Sequence, residues 1–186
     1  YAQHGYHDFA VGSCAGGPNA FVQCESDRPH SFSGGIDSWA SGVLLDIVNV
    51  NGQALSLKNL GQDKQGAGWN AANSVLWQCA AARIDCFQPP TAYNWAFGCW
   101  AAFSGNGYWE ESNSHIRPRS LYYAQLKDRL GDEVLTRAHL LPFDGRATTS
   151  PTVELAAALT AQARQPALRL ADWIDRAAQR PALIHI

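Results

Sequence analysis

The chain has 186 residues, 46% of them hydrophobic, and a formal net charge of −2, so it is long enough for one domain with a sizeable core. Residues 1–116 hold four basic and nine acidic side chains, whereas residues 117–186 hold ten basic and seven acidic. The body lacks a basic stripe, which argues against nucleic acid as a partner, and no apolar run reaches the roughly twenty residues that cross a bilayer, so no membrane partner is expected.

The chain opens at Tyr1 inside what reads as a repeat, Gly5-Tyr-His-Asp-Phe9, and contains no Met. The expectation is a fragment or mature product whose N-terminal coils and targeting signal are missing, and which associates with those coils or with a second chain. His7 and Asp8 are neighbours at a strand edge and so point to opposite faces. One of them lines a groove, with His7 a proton-transfer candidate, or else the pair makes a local turn or a buried hydrogen bond.

A block of Asn, an apolar pair or triplet, and Cys then recurs. It reads Asn19-Ala-Phe-Val-Gln-Cys24, Asn73-Ser-Val-Leu-Trp-Gln-Cys79 and Asn94-Trp-Ala-Phe-Gly-Cys99, with Gly42-Val-Leu-Leu-Asp-Ile-Val48 as a variant without the Cys. A period of twenty-odd residues predicts a solenoid whose coils bury their apolar faces against one another. The strand-like runs are 8–12, 20–25, 42–49, 54–58, 74–79, 83–87 and 96–103, and their short apolar character without tight Asn-Gly hairpins suits parallel pairing. Asn19, Asn73 and Asn94 precede strands, where each amide is expected to bond turn backbone and its counterpart one coil away. Cys24, Cys79 and Cys99 occupy equivalent places and are expected to be inward thiols. Five cysteines without a CxxC pair argue against zinc, so no metal ligands are assigned, and a Cys79–Cys86 bridge stays open.

Between these blocks lie two polar loops. The first, Arg28-Pro-His-Ser-Phe-Ser-Gly-Gly-Ile-Asp-Ser-Trp39, brings a cation, an imidazole, a carboxylate and an aromatic plane together, a set suited to a sugar ring bearing a carboxylate. Arg28 and Trp39 are substrate-binding candidates; His30 and Asp37 are catalytic ones. The second, residues 59–69, carries Lys64 at its tip and ends on Trp69. Lys64 would neutralise a substrate carboxylate and Trp69 would stack on a sugar, unless the loop is only a surface connection. Six of the seven Trp precede residue 110, and Trp77, within an apolar strand, is the one expected in the core.

After Gly107 the texture changes. Helices are expected from Pro118 to Leu130, from Pro151 to Ala163 and from Leu170 to Ala178, with Gly131 stopping the first. The division is therefore residues 1–116 as coils and residues 117–186 as a helical tail that caps the solenoid or makes an oligomer contact.

The runs His7-Asp-Phe9, Gly16-Gly-Pro-Asn-Ala-Phe21, Trp39-Ala-Ser-Gly-Val-Leu-Leu-Asp46, Gly68-Trp-Asn-Ala-Ala-Asn-Ser-Val-Leu-Trp77 and Pro89-Pro-Thr-Ala-Tyr-Asn-Trp95 resemble the pectate-lyase-like superfamily. The resemblance covers about residues 5–130 and implies an all-β fold, the C-terminal coils of a right-handed parallel β-helix from a secreted or periplasmic bacterial protein. It further implies a polysaccharide substrate and, in the lyases, β-elimination: a base removes the proton alpha to a uronate carboxylate that calcium or a basic side chain neutralises. Calcium is the one cofactor it raises. No catalytic motif of a defined lyase family is matched, which keeps two alternatives open: a glycoside hydrolase using Asp37 with a second carboxylate such as Asp46, and a non-catalytic half that stabilises or oligomerises a β-helix protein.

Overall fold

The computed structural model describes residues 1–62, 68–137, 153–164 and 172. The chain divides into two units, Tyr1–Thr149 and Ser150–Ile186. In the first, the described residues form twelve strands: β1 (Ala2–Gln3), β2 (Ala10–Gly12), β3 (Asn19–Asp27), β4 (Ser33–Ile36), β5 (Ala40–Ser41), β6 (Val43–Leu57), β7 (Ala71–Ala72), β8 (Ser74–Trp77), β9 (Ala80–Cys86), β10 (Asn94–Phe97), β11 (Trp100–Ser104) and β12 (Tyr108–Glu110). Helices α1 (Leu121–Leu130) and α2 (Glu133–Arg137) follow. The second unit contributes α3 (Val153–Ala163), and the helix expected at 170–178 lies outside the described residues apart from Asp172. None of the described helices is long and apolar enough to cross a membrane.

Among the described residues the named strands pair in parallel throughout, consistent with the all-β expectation, and an isolated antiparallel bridge joins Asn59 to Trp69. A first run follows the order β1-β3-β6-β8-β10-β12, and a second joins β2, β4, β6, β9 and β11. Strand β6 belongs to both. Its first half pairs with β3 and β8, its second half with β4 and β9, and the register shifts between Val50 and Ala54 where it changes run.

Phase explains what is buried. In the first run Phe21, Leu45, Leu76, Ala96 and Trp109 stand in one register and face the core. In the second run Leu55 and Leu57 pair with Ile84 and Cys86, again inward. Successive side chains alternate across a strand, so the neighbours of these residues point away from the core. Trp77 is one of them. It follows inward Leu76, and its indole N–H reaches outward to the Pro118 carbonyl at 3.1 Å. Trp109 takes the core place instead, packing edge-on against Phe103 with centroids 5.1 Å apart.

In the first run each rung from β3 onward turns at a residue with positive φ. The registers align Gln23 (52°), Ile47 (59°), Gln78 (49°), Gly98 (62°) and Glu111 (50°) in a single column. A β-branched residue such as Ile47 seldom adopts this conformation, so the corner is imposed by the pairing on either side. The next column holds Cys24, Val48, Cys79 and Cys99, the last three essentially inaccessible to solvent. Cys79 donates to the Leu45 carbonyl and Cys99 to the Leu76 carbonyl, the same contact one rung later. All five thiols are free, including Cys79 and Cys86.

The asparagines form no side-chain ladder. Asn94 is level with Ser74 and Asn19 with Val43, but Asn73 is one place out of register. Buried Asn94 instead accepts from the Ser74 amide and donates to the Ala71 and Phe87 carbonyls. Asn70 repeats this pattern, accepting from the Lys58 amide and donating to Gly35 and Ser56.

Residues 115–122 lie against the outward side of the first run, so the change of texture at residue 116 falls inside the first unit. Ser120 caps α1 by accepting from the Tyr123 amide. Its hydroxyl also donates to Asp46, which accepts the Tyr122 amide at 2.8 Å. Pro118 precedes this cap, so the helix starts later than Pro118 suggests.

Candidate functional site

The sequence candidates fall at two ends of one short strand. Arg28 and His30 precede β4 (33–36), and Asp37 and Trp39 follow it, so roughly 13 Å of extended chain separates the groups. Arg28 donates to Asp27 at 3.1 Å, and the His30 ring lies 6.2 Å from that of His4. Asp37 accepts from Ser13, and the Trp39 amide donates to the Trp69 carbonyl. The structure thus brings Arg28 near His30 and Asp37 near Trp39 and Trp69, without gathering all of them. Lys64 lies outside the described residues. Asp46 is fully buried beneath Ser120 and α1, out of reach of Asp37's solvent-facing turn.

A different cluster lies between these ends, on the outward face of the second run. Ser56 pairs in register with Asp85, and both alternate with the inward leucine, isoleucine and cysteine positions. Asp85 is 3% exposed, yet it is surrounded by donors: Ser56 Oγ at 2.9 Å, Lys58 Nζ at 2.7 Å, and Arg83 Nε at 2.9 Å. Burial pushes the Asp85 carboxyl up, but the hydrogen bonds from Lys58 and Ser56 and the two positive charges outweigh it, leaving it below the usual carboxylate value. One carboxylate facing two cations leaves a local excess of one positive charge on an otherwise acidic body. Arg83, with 54% of its side chain exposed, carries that excess toward solvent.

Phe32 joins this cluster to His7. The Lys58 ammonium sits 5.8 Å from the Phe32 ring centroid, and the His7 ring meets the same ring edge-on at 4.8 Å. His7 Nδ1 is 2.7 Å from the Phe32 carbonyl, which can only accept. The proton of a neutral His7 therefore sits on Nδ1, leaving the Nε2 lone pair to take a proton. Asp8 turns away to the Ser26 hydroxyl, so the two neighbours divide between two roles.

Lys58, Arg83 and Asp85 escaped the sequence reading because each was absorbed into a strand. The signal was present: Arg83-Ile-Asp-Cys86 alternates charge with apolar side chains, which places both charges on one face. Among the described residues no group of three or more His, Cys, Asp or Glu is placed to hold a metal ion. Asp85, the one carboxylate of the cluster, is already occupied by two cations, so the residues present do not fit calcium.

A concave feature lies on the outward side of the first run. Gln78, His115, Ile116, Arg117, Pro118 and Arg119 line a cleft of about 460 Å³.

A model of a domain of unknown function (DUF6298) matches residues 107–185, less than half of the chain. Comparison with curated proteins gives no match, and neither does comparison with solved structures.

Proposed function

We propose that the chain forms coils of a right-handed parallel β-helix from a polysaccharide-degrading enzyme, and that it acts on a uronate-containing glycan by β-elimination. The fold reading is supported by two runs of parallel strands sharing β6, by corners stacked in one column, and by inward thiols repeating at the same place. The activity reading rests on one observation: Asp85 holds Lys58 and Arg83 together on an outward strand face, where their surplus positive charge can meet a substrate carboxylate.

In that reading Arg83 and Lys58 neutralise the uronate carboxylate and so acidify the proton alpha to it. His7 Nε2 accepts that proton, a carbon–carbon double bond forms, and the glycosidic oxygen leaves with a proton from solvent. Trp39 and Trp69, at the far end of β4, offer ring faces to neighbouring sugars. A secreted or periplasmic location belongs to the same reading.

The dispersal of Arg28, His30, Asp37 and Trp39, each tied into turn contacts, favours a second reading in which the chain is a non-catalytic half. Turnover of acidic and neutral polysaccharides, followed by ultraviolet absorbance and reducing ends together, separates the two. New absorbance with reducing ends, lost in Arg83→Ala, supports elimination. Reducing ends without absorbance would replace elimination by hydrolysis, and silence would favour the scaffold.

A further inference from the structure

His4 and His30 stand side by side at the turns that follow β1 and β3. Strand β1 is only two residues long and meets β3 through two register pairs, Ala2 with Ser26 and Gln3 with Asp27. The ladder then continues into the turns. The His4 amide donates to the Asp27 carbonyl at 3.1 Å, and the His30 amide donates to the Gly5 carbonyl at 2.8 Å. His4 and Arg28, one place beyond the last register pair, both have positive φ, at 56° and 51°. Pro29, which follows Arg28, is buried and fixes its own φ. Gly5 admits no larger residue, because a Cβ there would overlap the Asp8 carboxylate. Both histidine backbones are therefore fixed before any ligand arrives, which lowers the ordering cost of binding.

Their side chains are uncommitted. Both imidazoles are exposed, and the ring centroids lie 6.2 Å apart with 34° between the planes. Among the described residues neither ring makes a hydrogen bond or an ion pair, whereas the His7 ring is held by the Phe32 carbonyl. Two imidazoles on one tetrahedral ion, with metal–nitrogen bonds of about 2 Å, hold their centroids roughly 5 Å apart. Closing from 6.2 Å takes an adjustment of about 1 Å by two exposed side chains. Local charge favours a cation. Asp27 is paired with Arg28 at 3.1 Å, and Glu25, two places back on the same strand face, leaves one negative charge over. Imidazole nitrogen suits zinc, nickel and copper, whereas calcium and magnesium take oxygen ligands.

We propose that His4 and His30 form a site for a divalent ion of the zinc, nickel and copper class, which staples the turn after β1 to the turn after β3. Each imidazole gives one nitrogen. Among the described residues no third His, Cys, Asp or Glu joins them, so water completes the coordination. The staple acts where the strand ladder is shortest. It uses no residue of the Asp85 cluster and does not depend on the reaction proposed there.

The test is calorimetric titration of the tag-free, metal-stripped full chain with zinc chloride and, separately, calcium chloride. Zinc is expected to bind saturably and to lose at least tenfold in affinity in both His4→Gln and His30→Gln. Cys14→Ser, which removes the exposed thiol, and His115→Gln are expected to bind it normally. Without metal the two histidine variants should melt as the wild type does, and zinc should raise the melting temperature of the wild type alone. Histidine-ring nitrogen spectra should show zinc moving His4 and His30 together, and amide exchange at both residues should slow. Absence of saturable zinc binding would overturn the site. Binding that survives either histidine substitution would overturn the pairing, and equal affinity for calcium would overturn the imidazole chemistry. Zinc binding without slower amide exchange at His4 and His30 would overturn the staple.

Discussion

The two outward faces of the strand runs each bury a carboxylate, and they treat it in opposite ways. Asp85, on the second run, is buried among cations and held below the usual carboxylate value. Asp46, on the first, is buried beneath the start of α1. Burial pushes its carboxyl up, and the hydrogen bonds from Ser120, Tyr122 and Leu121 recover only part of that cost. Among the described residues one of its oxygens has no hydrogen-bond partner. A charge beside two opposite charges acts as an electrostatic anchor, whereas a charge beside hydroxyl and amide donors acts as a helix cap with a desolvation cost. In the proposed function the Asp85 arrangement leaves net charge for a ligand, whereas Asp46 fastens the segment at Ser120 and Tyr122 to the first run.

The largest expected effect breaks the second face alone. Lys58→Ala should lower turnover of an acidic glycan by roughly a hundredfold, the scale of removing one preorganised charge stabiliser, as read in initial rates. Unchanged turnover would show that Lys58 does not meet the substrate carboxylate.

Asp85→Asn comes next. It leaves Lys58 and Arg83 as neighbouring like charges, and because both are partly exposed the expected loss is about 1–3 kcal/mol in denaturant unfolding. An unchanged midpoint would mean that solvent already screens the cluster.

Gly98→Ala tests the wall of the first face. Its positive φ costs about 1 kcal/mol for an L side chain, and the added methyl meets Ile116. The expected loss is about 1–2 kcal/mol in denaturant unfolding. An unchanged midpoint would show that Ile116 gives way to the added methyl without cost.

The smallest effect is in pH and has opposite signs on the two faces. The raised Asp46 carboxyl makes the folded chain bind more protons, so stability falls as pH rises from the ordinary carboxylate value through the raised one. The lowered Asp85 carboxyl contributes stability fully above the ordinary value, and this is lost as pH falls through the lowered one. Melting curves of Asp46→Asn should lose the decline above the ordinary value and keep the acid loss; the reverse outcome would exchange the two assignments.

Much of the strand architecture was legible because its signal is local. Leu45 and Leu76 mark the core phase, and the Asn-to-Cys blocks place Cys24, Cys79 and Cys99 in one column. Trp77 was misplaced because an apolar residue in an apolar strand carries no label for its face, and only pairing with Phe97 and the Pro118 carbonyl reveals it. The Asp85 cluster and the cleft were harder. They join residues distant in sequence, such as Lys58 with Asp85 and Gln78 with Arg119, whose meeting depends on which rung each loop returns to. A solitary carboxylate inside an apolar run, as at Asp46 and Asp85, was the available clue to both.

The column of left-handed corners works as a reading frame. Gln23, Ile47, Gln78, Gly98 and Glu111 recur at unequal intervals along the chain, yet each closes the same strand segment. Length therefore varies only between frames, as in the stretch from Leu57 to Ala71 compared with the short link from Ser104 to Tyr108. One residue added between Val43 and Ile47 would be a frameshift in space, sending Leu45 outward and Asp46 into the core.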